Sequence, residues 1–417
     1  MKKCLILGFG RSGKAAYKLL EGLYDIYVLS DLENDDKDIN YITIDEIVEK
    51  LPQFELTIRS PGFPSNNVYF SLIRMCSKHL ISEIELGYHF LKKKKNMIIA
   101  VTGSDGKTTT LHLISDLLNS VNIKNIMLGN VGTPFCEKVQ KLKNEVVLLE
   151  LSSFQLEDIY DFKPDIVVLT NFRANHLDHV SDLNYYYASK KRILFNVSKN
   201  KIISTPNTYI ENYINIFASK NEIYTNGESI FYRGKPIINI QELNNRHYLL
   251  IDSCLALSAV VSSFGYHNAY LRALHNFQGL KYRQEEIKYL HFTCVNDSKS
   301  TTTQALEECL KSYQNCKRII IIGGIYKSLG IEDINFLSDD EILLFGKDRN
   351  KISELIKRET KSFSNLDEIF SYLKSIDIEN KTIIFSPACS SLDQFESFEQ
   401  RGKIFENKCE ELNYESN

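Results

Sequence analysis

Short apolar runs alternate with longer amphipathic stretches along the whole chain. The runs Cys4–Leu7, Ile26–Leu29, Ile98–Val101, Val146–Leu149, Ile166–Leu169, Ile319–Ile322, Ile342–Phe345 and Thr382–Phe385 are bounded by Gly, Pro, Asp or Asn. Runs of this length with such borders predict buried strands. Their alternation with helical patterns predicts an α/β protein with mostly parallel sheets. Four lysines at Lys92–Lys95 precede a new strand and read as a linker or as a solvated helix end. A second break is expected near Gln278–Arg283. Three domains follow, at 1–92, 93–281 and 282–417. The stretch 200–250 fits an irregular or small β insertion, and no repeat of 20–50 residues is present.

Composition narrows the class. The chain has 417 residues, 43% hydrophobic and 25% charged, with net charge −3. That is ordinary for a globular protein and argues against a general nucleic-acid partner, which needs a strongly basic face. Nine cysteines with no Cys-x-x-Cys pair fit reduced thiols in a cytosolic protein better than a disulfide framework or zinc site. The N-terminal MKKCLILGFG reads as a first strand, because Gly-x-Gly interrupts the apolar run a signal peptide would need. No apolar run approaches the roughly 20 residues of a membrane span.

Two glycine loops carry the chemistry. Gly8-Phe9-Gly10-Arg11-Ser12-Gly13 follows a strand and opens a helix, so its backbone N–H groups can approach a phosphate. Asp31 ends the next strand, where an acid can bond a ribose hydroxyl. Read alone, this pattern says dinucleotide. Arg59-Ser60-Pro61-Gly62-Phe63-Pro64 is a rigid turn after a strand-like Leu56–Arg59, functional or merely structural. The second loop, Gly103-Ser104-Asp105-Gly106-Lys107-Thr108-Thr109, again joins a strand to a helix. It is a shortened P-loop, since Val101 stands where the first glycine is usual. Its N–H groups can cradle phosphates, Lys107 can reach the terminal ones and the Thr108 hydroxyl can ligate Mg²⁺. Glu150 closes a strand downstream of this loop, where an acid can hold Mg²⁺ or its water. In Asn171–His179, His176 is a candidate metal or substrate contact. Zinc is disfavoured there because further ligands are missing.

These residues, in this order, resemble the Mur ligase family. GSDGKTTT, ELSSFQLE at Glu150–Glu157, NHLDH and YASKKRI at Tyr187–Ile193 match its motifs. Ser386–Phe395 with Phe398–Gly402 is similar to the branch that adds D-glutamate, as are Val295–Thr301 and Ile322–Lys327. The resemblance covers about 1–410 and weakens over 200–275. It implies Rossmann-like N- and C-terminal domains around a central ATPase-like domain. It implies ATP-driven addition of D-glutamate to UDP-N-acetylmuramoyl-L-alanine through an acyl phosphate, by a cytoplasmic monomer with no nucleic-acid or membrane partner.

By the same resemblance, Gly8, Gly10, Ser12, Gly13, Asp31 and Ser60 would hold the UDP-sugar, and Asn130, Ser152 and Gln155 would contact substrate. ATP would lie on Gly103–Thr109, with Arg283, Asp297 and Lys299 facing the nucleotide. Two Mg²⁺ ions would involve Thr108, Glu150, His176 and Lys190, with Lys190 carbamylated. Lys107, Glu150, His176 and Lys190 would be the catalytic group. D-glutamate would meet Thr301, Lys327, Ser391 and Phe398, since an acidic substrate needs cationic and hydroxyl partners. The chain departs from the family pattern at His247-Tyr248, where His-Asn is usual, at Tyr282 before Arg283, and at Ala174-Asn175. The competing readings are a sister ligase for another amino acid, an NAD-dependent Rossmann oxidoreductase resting on the first glycine turn alone, and a non-catalytic nucleotide-binding regulator.

Overall fold

The computed structural model describes residues 1–30, 38–92, 94–171, 188–198, 201–204, 222–243, 247–327 and 330–415. Asp31, His176 and the rest of the stretch 172–179 lie outside the described residues. The chain forms two compact units, one of Met1–Ala174 with His179–Asn276, the other of Phe277–Asn417 with Asn175–Asp178.

Among the described residues the first unit holds three sheets. Strands β1 (Lys3–Leu7), β2 (Asp25–Leu29), β3 (Asn40–Tyr41), β4 (Phe54–Arg59) and β5 (Ser77–Ser82) form a parallel sheet in the order β3-β2-β1-β4-β5. Strands β6 (Ile98–Thr102), β7 (Asn125–Gly129), β8 (Val146–Glu150), β9 (Ile166–Leu169) and β10 (Ile202–Ser204) form a second, in the order β10-β9-β6-β8-β7. A small antiparallel sheet of β11 (Ile223–Thr225), β12 (Ser229–Tyr232) and β13 (Lys235–Asn239) lies where the sequence predicts a β insertion.

The second unit is built on β14 (Glu285–Lys288), β15 (Thr293–Asn296), β16 (Lys317–Gly323), β17 (Glu341–Phe345), β18 (Lys361–Ser362) and β19 (Lys381–Phe385). Their order is β14-β15-β19-β16-β17-β18, with β14 alone antiparallel to its neighbour.

All eight apolar runs are strands, and their continuity has a simple cause. Side chains alternate across a strand, so a strand covered on both faces must be apolar at every position. Ile319 and Ile321 of β16 pack with Phe385 and Phe405 on one face, while Ile320 and Ile322 meet Leu306 and Ile352 on the other. In β1, Leu5 and Leu7 join Ile47, Phe54 and Ile73, while Cys4 and Ile6 face Ala16 and Leu19. That second cluster continues through Phe135 to Val147 and Val167, so the two parallel sheets of the first unit share one core. Full burial of each such side chain contributes about 1.5–3 kcal/mol.

Within the lysine run, Lys94 is tied down, its Nζ donating to the carbonyls of Val139, Gln140 and Leu142 at 3.0, 2.8 and 2.7 Å. The nine cysteines are all free thiols. Among the described residues no helix is long and apolar enough to cross a membrane. Loops after the C-terminal ends of parallel strands are where open α/β sheets bind ligands, and the two glycine loops, Ser60, Asn130, Asp297, Lys327 and Ser391 fall there.

Candidate active site

The first glycine turn closes on Ser60. Gly8 has φ +79°, and a Cβ on Gly13 would lie 2.1 Å from the Gly8 carbonyl oxygen. Only glycine lets the helix Arg11–Leu20 approach β1 this closely. Ser60 follows β4, β1's neighbour, and its Oγ donates to the Gly8 carbonyl at 2.8 Å. Gly10 occupies the N-cap with no side-chain cap, and a Cβ there would meet nothing within 4 Å. Gly8, Gly13 and Ser60 thus meet at the start of this helix, with Gly10 at its N-cap and Ser12 in its first turn.

The second loop is braced from the side. Gly103 has φ +149°, and a Cβ there would lie 2.0 Å from Thr170 Oγ1. A Cβ on Gly106, φ +79°, would lie 2.5 Å from Asp252 Oδ1. The Asn171 side chain accepts from the N–H of Asp105 at 2.9 Å and of Ser104 at 3.2 Å, and Thr170 Oγ1 donates to the Asp105 carbonyl. Thr170 and Asn171 follow β9, which pairs with β6, so the sheet itself delivers them to the loop. Helix Lys107–Ser120 begins directly after the loop, again with no side-chain cap. Lys107 Nζ donates to the carbonyls of Ser104 at 2.6 Å and Gly103 at 3.0 Å.

Lys190 meets the same point from another segment. Its Nζ donates to the Gly103 carbonyl at 2.6 Å, and the residue is only 2% exposed. Burial drives its amine well below the usual lysine range, and Lys107 adds to this, against the pull of Asp105 and Glu150. Lys191, the adjacent register, is only partly buried.

Glu150 ends β8 opposite Val101 of β6 and is 1% exposed. Its Oε1 accepts from Asn130 Nδ2 at 2.8 Å, and Asn130 N donates to the Glu150 carbonyl at 2.9 Å. Its Oε2 is buried with no hydrogen-bond partner among the described residues. A buried carboxylate oxygen left this way is costly unless something cationic meets it. An acidic oxygen of this kind suits a divalent cation near bound phosphates, and Thr108 supplies a hydroxyl in the first turn of the helix that follows the loop.

Ser152 and Gln155 form a reciprocal capping box on the short helix Ser153–Leu156. Beside them, Arg59 links the Ser60 turn to this helix. Its guanidinium donates to Asp158 Oδ2 at 2.5 Å and Glu157 Oε2 at 2.6 Å, with all three side chains nearly fully buried.

In the second unit, three loops leave the adjacent strands β15, β16 and β19. Asp297 accepts from Gln284 N at 3.2 Å and Ser386 Oγ at 2.8 Å. Burial raises its carboxyl to about 7, against the lowering effect of Ser386 and the Arg283 cation. Tyr282, at φ +61°, lies against Gly402, where a Cβ would sit 2.5 Å from the ring. The Lys299 ammonium sits 5.5 Å from the centre of the Phe398 ring. Lys327 and Thr301 are exposed, and Ser391 is buried. Residues 323–325 and 387–390 are zipped together, with Gly323 N bonding Pro387 O at 3.0 Å and Ile325 N bonding Ser390 O at 3.0 Å.

Thr170 and Asp252 brace these loops from outside the motifs read in the sequence, whereas Arg59, Asn171 and Arg401 lie within those motifs but carry there no assigned role. The glycines mark close approaches, but they do not say which side chain approaches.

A profile for the Mur ligase middle domain matches residues 101–270. The UDP-N-acetylmuramoylalanine–D-glutamate ligase of Aquifex aeolicus (strain VF5) is 30% identical over 426 residues, with 98% of each chain covered. That of Hydrogenobaculum sp. (strain Y04AAS1) is 32% identical, covering 96% of this chain and 97% of the relative. Among solved structures, the UDP-N-acetylmuramate–alanine ligase MurC of Thermotoga maritima has a TM-score of 0.60 at 17% identity, covering 99% of this chain and 100% of its own. The MurF ligase of the same organism, in complex with ADP, has a TM-score of 0.62 at 14% identity, covering 100% and 96%. These last two likenesses concern the fold. On sequence similarity that runs the length of both chains, this chain belongs to the Mur ligase family.

Proposed function

We propose that the chain is an ATP-dependent ligase joining the amine of D-glutamate to the alanine carboxylate of UDP-N-acetylmuramoyl-L-alanine, in peptidoglycan precursor synthesis. The observation that carries this reading is the similarity over nearly the whole chain to relatives bearing that ligase's name. A nicotinamide oxidoreductase would use the first glycine turn and leave the second loop without a task.

The division of labour follows the sheets. Domain 1–92 would bind the UDP-sugar at Gly8, Gly10, Ser12, Gly13 and Ser60, with Asp31 near the uridine. Domain 93–281 would bind ATP on Gly103–Thr109, with Asn130, Ser152 and Gln155 toward the muramoyl-alanine. Domain 282–417 would offer Arg283, Asp297 and Lys299 to the nucleotide, and Thr301, Lys327, Ser391 and Phe398 to D-glutamate. A cytoplasmic monomer fits this reading.

In the first step a carboxylate oxygen of the substrate bonds to the γ-phosphorus as the bond to ADP breaks, giving an acyl phosphate. The D-glutamate amine then attacks the acyl carbon. The tetrahedral intermediate expels inorganic phosphate, and the amine's proton passes to solvent. The loop N–H groups and Lys107 orient the phosphates and offset their charge. Mg²⁺, two ions held by Thr108, Glu150, His176 and Lys190, would supply further charge neutralisation at the phosphates.

Lys190 would act as its carbamate. A neutral amine adds CO₂ and releases one proton, which turns a donor into an acidic ligand. Its burial and depressed basicity support that chemistry, because a protonated ammonium cannot react.

The test is phosphate release from ATP with Mg²⁺, UDP-N-acetylmuramoyl-L-alanine and one amino acid at a time. Release that needs the UDP-sugar and is strongest with D-glutamate is expected. Strongest release with another amino acid would transfer the chain to a sister activity. Absence of release with every amino acid, in a folded protein that binds ATP, would favour the regulator.

A further inference from the structure

Arg401 is fully buried in helix Phe398–Glu415, yet its guanidinium makes no salt bridge to a carboxylate among the described residues. Burial lowers its pKa to about 10, so it stays charged at neutral pH. A buried charge without a close counter-ion is costly unless fixed dipoles solvate it. Here the dipoles are backbone carbonyls from three loops. Nη2 donates to Ser298 O at 2.7 Å, and Nη1 donates to Cys389 O at 3.0 Å, with Gly323 O at 3.5 Å. Nε donates to Ser298 Oγ at 3.1 Å, and that hydroxyl donates to Phe398 O at 2.9 Å.

The three loops leave neighbouring parallel strands: Ser298 follows β15, Gly323 ends β16 and Cys389 follows β19. They carry Lys299 and Thr301, Lys327, and Ser391, while the helix of Arg401 begins at Phe398. No direct substrate contact by Arg401 is required for it to matter. One rigid, planar fork fixes where the loop ends stand relative to one another.

We propose that Arg401 is a positioning residue for the amino-acid subsite, the tie that registers the loops after β15, β16 and β19 against the start of helix Phe398–Glu415. The identity of the amino acid rests on the D-glutamate ligase reading, whereas the tie itself does not.

Arg401→Lys keeps a charge and removes the fork, and Ser298→Ala cuts the Nε bond and the link to Phe398 while leaving the guanidinium's carbonyl bonds in place. In full-length protein, Arg401→Lys is expected to raise the apparent KM for D-glutamate about tenfold, leaving that for UDP-N-acetylmuramoyl-L-alanine within about twofold. Ser298→Ala is expected to give a smaller change of the same pattern. Hydrogen exchange supplies a readout that needs no substrate. The amides of Ile325 and Ser390, which bond each other's carbonyls, should exchange faster in Arg401→Lys, while those of β17 keep their protection.

Exchange raised evenly across the second unit, or both KM values moving together, would make Arg401 a core stabiliser and overturn the proposal. If Arg401→Lys does not fold, Ser298→Ala decides: unchanged kinetics and unchanged exchange at Ile325 and Ser390 overturn the tie. If the wild-type protein shows no D-glutamate activity, the ligase reading fails by itself and the exchange pattern still judges Arg401.

Discussion

Lys190 illustrates how one residue's meaning depends on where it is folded. A lysine on an amphipathic segment is ordinarily solvated, and its neighbour Lys191 keeps part of its surface exposed. Lys190 is instead pressed onto the Gly103 carbonyl, beside the Lys107 ammonium that bonds the same oxygen. Two cationic side chains at one carbonyl repel, and the more buried one yields its proton first. Lys190→Ala should therefore lower the rate of phosphate release by about 10²-fold, the scale of losing one preorganised charged group. Added formate or acetate should restore part of it, and Lys191→Ala should leave the rate near wild type. An unchanged rate, with no response to carboxylate, would remove Lys190 from the site.

Between elements, a buried acid joins two helices. Glu83 lies in the first turn of helix Glu83–Leu91, and its Oε1 accepts from the N–H of Cys136 in helix Phe135–Lys138 at 2.6 Å. Burial raises its pKa to about 7, against the lowering effect of the Cys136 and Phe135 backbone. The folded state thus keeps a proton that the unfolded chain loses from the ordinary glutamate range upward. Fewer protons bound in the unfolded state mean that stability falls as pH rises from about 4.5 to about 7. The loss from this one group is on the order of 3 kcal/mol. Glu83→Gln should flatten that part of the profile, read as a smaller Tm difference between pH 5 and pH 8. An identical profile in the variant would mean that Glu83 is ionised in the fold.

At the scale of the whole molecule, the second unit closes its own core. Helices Thr303–Ser312 and Arg349–Ile356 cover one face of its sheet, and helices Leu366–Leu373 and Phe398–Glu415 cover the other. A unit with both faces buried by its own helices has what independent folding requires. The segment 277–417, expressed alone, should therefore unfold in a single cooperative thermal transition with native near-ultraviolet dichroism. A non-cooperative melt would mean that residues outside it complete the core.

The sequence by itself determined the eight continuously apolar strands, the two glycine loops and the residue types of the phosphate loop. A strand buried on both faces must be apolar without interruption, and a backbone that closes on a helix must be glycine. Both constraints are local and leave a local mark, as at Ile319–Ile322 and Gly103–Gly106. Only the tertiary structure decided which side chains brace those loops. Thr170 and Asn171 reach the phosphate loop because β9 lies beside β6, and Asp252 reaches it from a helix far along the chain. Arg401 looks in the sequence like an ordinary charged helix residue. Its burial, and the three carbonyls that solvate it, exist only because β15, β19 and β16 lie side by side. Strand order is a global property, set by how every apolar face is covered at once, so no single stretch of sequence records it.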